Sequence, residues 1–145
     1  MSEQESRALN RFGTFQLAGE ARGSALVLSQ ALSFWGGIDV ETGEIIDHSH
    51  SDLGGNIAGK ILVMPSGRGS SSSSSVLAEA IRRGTAPAGI ILERPDPILP
   101  VGAIIAEFLY DISMPLVVCD ISGIVSGDRI AIGIGEDAQA IVNLT

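Results

Sequence analysis

The stretch whose residue types could do chemistry is Pro65-Ser66-Gly67-Arg68-Gly69-Ser70, continued by the serines Ser71 to Ser75 and then VLAEAIRRG. Val76, Leu77, Ala80 and Ile81 fall on one helical face, so the later serines read as the first turn of a helix. Ser70 or Ser71 is then its N-cap, accepting a backbone N–H two or three residues on. The first N–H groups of a helix have no intrahelical partner and together carry about half a positive charge. Gly67 and Gly69 remove side chains that would keep an anion from that backbone. Arg68 offers a guanidinium that forks onto a carboxylate or phosphate, and the hydroxyls of Ser70, Ser71 and Ser72 can bond the same anion. A flexible serine linker is the bland alternative. It conflicts with the position of the tract, between a buried strand and an amphipathic helix, where a connecting loop has about 2–6 residues. A capped helix with nothing bound is the other.

Other signatures fail. The segment lacks the third glycine of a dinucleotide fingerprint, and neither a P-loop lysine motif nor a G-x-S-x-G elbow occurs. His48 and His50 lie in a polar turn and read as solvated. The single cysteine, Cys119, excludes an internal disulfide and a cysteine-based metal cage within this chain; it sits in an apolar strand and reads as a small core residue.

The elements that must position the loop follow from punctuation and period. FGTFQLAGEARGSALVLS suggests two short strands around a turn. Ile61 to Met64, Ala88 to Leu92 and Leu116 to Cys119 are short apolar runs that read as buried strands. VLAEAIRRG, stopped by Gly84, and PVGAIIAEFL, with Pro100 near its start, are helices between them. SGDRIAIGIGEDAQAIVNL switches to strand–turn–strand, with Gly135-Glu136-Asp137 as the tip. Strand–helix–strand–helix–strand implies parallel crossovers, and the flanking strands imply an antiparallel layer. The expected fold is a small α/β domain of the β/β/α type, one domain over residues 11–145 after a flexible segment at 1–10. Parallel strands present their following loops at one edge, so Glu93-Arg94-Pro95-Asp96-Pro97 should line the same edge as the serine loop. Trp35 beside Gly36-Gly37 is either an interface anchor or an ordinary core residue.

The chain has 145 residues, with 17 acidic against 9 basic and a net charge of −8. That balance argues against nucleic acid or an anionic membrane as partner. The first residues lack the apolar segment of a signal peptide, and no run approaches the ~18 apolar residues that span a bilayer. The expected location is the cytoplasm.

Leu32-Ser33-Phe34-Trp35-Gly36-Gly37-Ile38-Asp39, the run VMPSGRGSSSSSSVL, Glu93-Arg94-Pro95-Asp96-Pro97-Ile98 and VGAIIA together resemble the small subunit of the aconitase X family. The resemblance covers roughly residues 14–143 and implies the swivelling β/β/α fold of the aconitase C-terminal domain. That domain carries a similar Gly-x-Gly-Ser-Ser loop whose first serine is the catalytic base, which corresponds to Ser70. This chain has Ser72 where aconitase has a substrate-binding arginine. Anion binding by Arg68, Gly69, Ser71 and Ser72, or by the partner, must substitute.

The resemblance implies a heteromeric hydro-lyase acting on a small carboxylate. Bacterial members dehydrate cis-3-hydroxy-L-proline to Δ1-pyrroline-2-carboxylate, and archaeal members dehydrate mevalonate 5-phosphate. The unbroken serine run and FWGGID look more like the former. An iron–sulfur cluster is implied in a larger partner subunit, since a cluster needs several thiolates and this chain has one. Ser70 would remove the α-proton, its alkoxide stabilised by the helix N-terminus and Arg68. Ser73 and Ser74, already inside the first helical turn, should point round the helix and matter less. A phosphohistidine carrier, which needs a nucleophilic His48 or His50, and a non-catalytic capping subunit are the readings of other classes.

Overall fold

The computed structural model describes residues 10–145. The flexible segment expected at residues 1–10 lies, apart from Asn10, outside the described residues. In chain order the strands are β1 (Arg11–Leu17), β2 (Ala21–Val27), β3 (Leu32–Ser33), β4 (Ile61–Met64), β5 (Gly67–Arg68), β6 (Gly89–Leu92), β7 (Leu116–Val118), β8 (Arg129–Ile134) and β9 (Ala140–Leu144). The long helices are α1 (Ser72–Arg83) and α2 (Leu99–Tyr110). A short turn at Phe34–Gly37 departs from helical geometry at Trp35 and Gly36.

Strands β2, β4, β6 and β7 run parallel in that spatial order. β1 pairs antiparallel with β7 and β9, and β8 pairs antiparallel with β9 and β2, which closes seven strands into one barrel. The two layers expected from the sequence are therefore one continuous circuit. β1 and β2 flank a turn, as expected, yet take different neighbours.

Residues alternate across the parallel strands. Leu62, Met64, Ile90, Leu92 and Leu116 face the helices and join Leu77, Ile81, Leu99, Ala103 and Ala106 in one cluster. Ile61, Val63, Ile91 and Val117 face the barrel interior, against Ile130, Ile132, Val142 and Leu144. Burial on both faces is why Ile61–Met64 has no polar position. Each such side chain contributes about 1.5–3 kcal/mol relative to exposure.

Helix α1 ends as the sequence indicates. Gly84 takes the left-handed conformation and its N–H reaches back to the carbonyls of Ala80 and Ile81. Glu79 accepts from Arg82 Nε at 2.7 Å and from Arg83 Nε at 3.1 Å. The start of α2 is held by Asp96, whose Oδ2 accepts the N–H of Ile98 at 2.9 Å and of Leu99 at 2.7 Å. α2 lies against α1 along small residues, and at Gly102 the backbones meet so closely that a Cβ would strike the carbonyl of Ser74.

Candidate functional site

After β4 the chain forms β5 parallel to β3, with Leu32 opposite Gly67 and Ser33 opposite Arg68. It then swings through Gly69 at φ +114°, a conformation that favours glycine. A Cβ on Gly69 would also collide with the hydroxyls of Ser33 and Ser73. Ser71 already has helical φ and ψ and its side chain makes no capping bond. Ser70 does the capping: its Oγ accepts the Ser72 N–H at 3.3 Å and its carbonyl accepts the Ser73 N–H at 3.0 Å. Arg68, Gly69, Ser70, Ser71 and Ser72 are all exposed and follow one another along one rim. Among the described residues, no acceptor faces the N–H groups of Ser70 and Ser71. No carboxylate lies in the first turn of α1 to offset its positive end.

Ser73 departs from expectation. Its side chain is buried, at 1% exposure, and its Oγ accepts the Trp35 N–H at 3.3 Å. The Ser33 hydroxyl donates to the Trp35 carbonyl at 3.0 Å. The two hydroxyls clamp the Trp35 main chain beside Gly69, while the indole stays outside: Trp35 is 61% exposed and is no core residue. Ser74 turns back onto its own helix, donating to the Ser71 carbonyl at 2.7 Å.

The Glu93–Pro97 loop meets the serine loop at the same edge, as the strand order required. The Arg94 N–H donates to the Pro65 carbonyl at 3.1 Å, and the buried carboxylate of Asp96 packs on Gly67. Gln16 of β1 fixes Asp96 from behind, donating to its carbonyl at 2.9 Å and accepting its N–H at 3.1 Å. Asp96 was findable from the sequence as an Asp-Pro pair opening a helix. Gln16 left no signal, because its partner is 80 residues away.

Asp47 is a further neighbour that the sequence did not single out. Its carboxyl is held below the usual range chiefly by the Ser49 hydroxyl and N–H, with the positive charge of Arg68 adding to the effect. His50 is buried rather than solvated. Its Nδ1 accepts the Asp52 N–H at 3.0 Å, which leaves Nε2 to donate to the Gln30 carbonyl at 3.3 Å. Cys119 is buried at the end of β7, and burial pushes its thiol up to about 11. Such a thiol is a poor metal ligand, and no group of three His, Cys, Asp or Glu residues gathers to hold a metal among the described residues. The described residues, with one buried thiol among them, do not fit an iron–sulfur cluster. Nor is any described helix long and apolar enough to cross a membrane.

A closed mixed barrel with two helices on one side, and a glycine–serine loop entering the first of them, defines a swivelling domain of the aconitase type. The chain belongs to the aconitase X swivel domain family, whose sequence model matches residues 12–141. Aconitase X of Thermococcus kodakaraensis, in its holo-form, superimposes with a TM-score of 0.82 at 34% identity, covering 94% of this chain and 98% of that one. The cis-3-hydroxy-L-proline dehydratase of Pseudomonas aeruginosa is 48% identical over 100 residues, which are 69% of this chain and 17% of that protein. The phosphomevalonate dehydratase small subunit of Methanopyrus kandleri is 51% identical over 82 residues, 57% of this chain and 61% of that one. The chain thus spans about a sixth of the first relative and three fifths of the second.

Proposed function

We propose that this chain is the small subunit of a cytoplasmic aconitase X hydro-lyase that dehydrates cis-3-hydroxy-L-proline to Δ1-pyrroline-2-carboxylate, with Ser70 as the proton-abstracting base. The observation that carries it is the exposed Ser70 Oγ at the positive end of α1, accepting the Ser72 N–H at 3.3 Å. A serine hydroxyl is a weak base in water. Preorganised N–H donors and the helix end lower the cost of the alkoxide in a site closed to water. On this reading the Ser70 alkoxide takes the Cα proton, the C3–O bond breaks, and the departing hydroxide takes up the proton that Ser70 first released and leaves as water. The resulting enamine then tautomerises to the ring imine. Arg68, Gly69, Ser71 and Ser72 hold the carboxylate through the guanidinium, backbone N–H groups and hydroxyls. The iron–sulfur cluster is assigned to a large partner subunit.

The choice of substrate is supported by Asp47. The positive charge of Arg68 helps to lower the Asp47 carboxyl, so the surroundings of the loop offer one cation and one anion. A zwitterion, with a carboxylate and a ring ammonium, suits that pair better than a phosphate dianion, which calls for additional cations. Mevalonate 5-phosphate remains the alternative substrate, in keeping with the archaeal relative. The phosphocarrier reading is weakened at His50, which is buried with both ring nitrogens engaged.

The test is reconstitution with the large subunit from the same organism and assay of both substrates. Ser70→Ala should lower kcat by at least the ~10²–10⁴-fold of a lost general base, with a cap loss of about 0.5–2 kcal/mol in the melt. Near wild-type kcat for Ser70→Ala would move the base to the partner. Turnover of mevalonate 5-phosphate alone would sink the hydroxyproline assignment.

A further inference from the structure

Helix α2 has two apolar faces. Leu99, Gly102, Ala103 and Ala106 are buried within the domain. On the opposite side Val101, Ile104, Ile105 and Phe108 repeat at the i, i+3, i+4, i+7 spacing of a second stripe, and they are 48, 50, 42 and 86% exposed. Leu109, Tyr110 and Ile112 extend it. Glu107 is the only charged residue from Leu99 to Tyr110. A helix that is apolar all round is ordinarily buried on all sides, and contiguous apolar surface of this kind marks an interaction site.

We infer that the outer face of α2 docks the large subunit that completes the serine-loop site, an inference that rests on the hydro-lyase reading. Three observations select this occupant. In the Pseudomonas relative the matched region is 17% of one polypeptide, so most of that protein is a body outside the matched domain. The helix that carries the stripe also starts at the site: Asp96 caps the start of α2 and its carboxylate packs on Gly67 of the serine loop. A body that spans the rim at Ser70 and continues along α2 from its start covers this face. Finally, a second copy would bring another −8 onto the first, a like-charge approach that opposes self-association.

The experiment titrates the purified chain against the large subunit by calorimetry, using wild type, Phe108→Glu, Ile104→Ser and, as a control, Ile134→Ser, an exposed apolar residue of β8. Phe108→Glu and Ile104→Ser should each weaken association by about 30-fold or more, with unchanged melts of the free chain, whereas Ile134→Ser should bind as wild type. Hydroxyl-radical footprinting of the wild-type complex reads the same face without substitution: oxidation of Phe108 and Tyr110 should fall on assembly. Undiminished binding by both variants, or undiminished oxidation, overturns the inference. So does a dimer of the free chain that Phe108→Glu dissolves, which would assign the face to a second copy. A complex that requires Phe108 but dehydrates neither substrate would refute the hydro-lyase reading and leave the docking face standing.

Discussion

The buried hydroxyl of Ser73 accepts the main-chain N–H of Trp35 at 3.3 Å, so the first turn of the serine helix is latched to the loop that carries the exposed indole. Removing the hydroxyl leaves a partly buried donor without its acceptor. Ser73→Ala should cost about 1–3 kcal/mol and shift Trp35 emission, read by thermal melts and fluorescence. Ser72→Ala, at an exposed position, should stay within about 0.5 kcal/mol. Equal melts for the two variants would mean that the latch carries no energy.

Gly102 and Ser74 give a second test. Two effects oppose each other in Gly102→Ala. The helix gains about 1 kcal/mol in propensity, while the new methyl strikes the Ser74 carbonyl, an overpacking cost of about 1–3 kcal/mol. The backbone cannot rotate away as a side chain would, so destabilisation should win. The displaced turn carries Ser70, and kcat of the reconstituted enzyme should fall more than the apparent affinity for substrate. A raised melting temperature with intact kcat would show that the helices have room to separate.

The pH dependence of stability has an identifiable contributor at Glu79. Hydrogen bonds from Arg82 and then Arg83 lower its carboxyl from 4.5 to about 2. In the window between those values the unfolded chain binds the proton and the folded chain does not. The contribution is therefore complete above the unfolded value and is lost as pH falls through the folded one. Urea melts from pH 6 to pH 2 should fall less steeply for Glu79→Gln than for wild type, and the difference should shrink in high salt because the groups are exposed. Parallel curves would assign the acid sensitivity to other carboxylates.

Much of this was legible from local pattern. The short apolar runs became β4, β6 and β7, and Gly84 stopped α1. The local pattern narrowed the cap to Ser70 or Ser71, and the structure gives the Ser72 N–H to the Ser70 Oγ. What sequence left open depends on contacts between distant segments. Nothing local says that Ser73 should bond Trp35 or that Gln16 should grip Asp96. Barrel closure was likewise hidden, since the two outer strands had to find each other across the whole chain. Trp35 could not be assigned by type alone, because an indole serves a core or an interface equally well.

The pairing of β1 with β9 sets Arg11 opposite Val142, so the entry and exit of the domain lie side by side on adjacent strands. Neighbouring ends make a unit that can be spliced into a longer polypeptide at one point, or freed from it, without rethreading the sheet. Fusion and fission then become matters of linker and gene arrangement, with the serine loop carried along intact. Both arrangements occur among the relatives: the matched region is 17% of one protein and 61% of another.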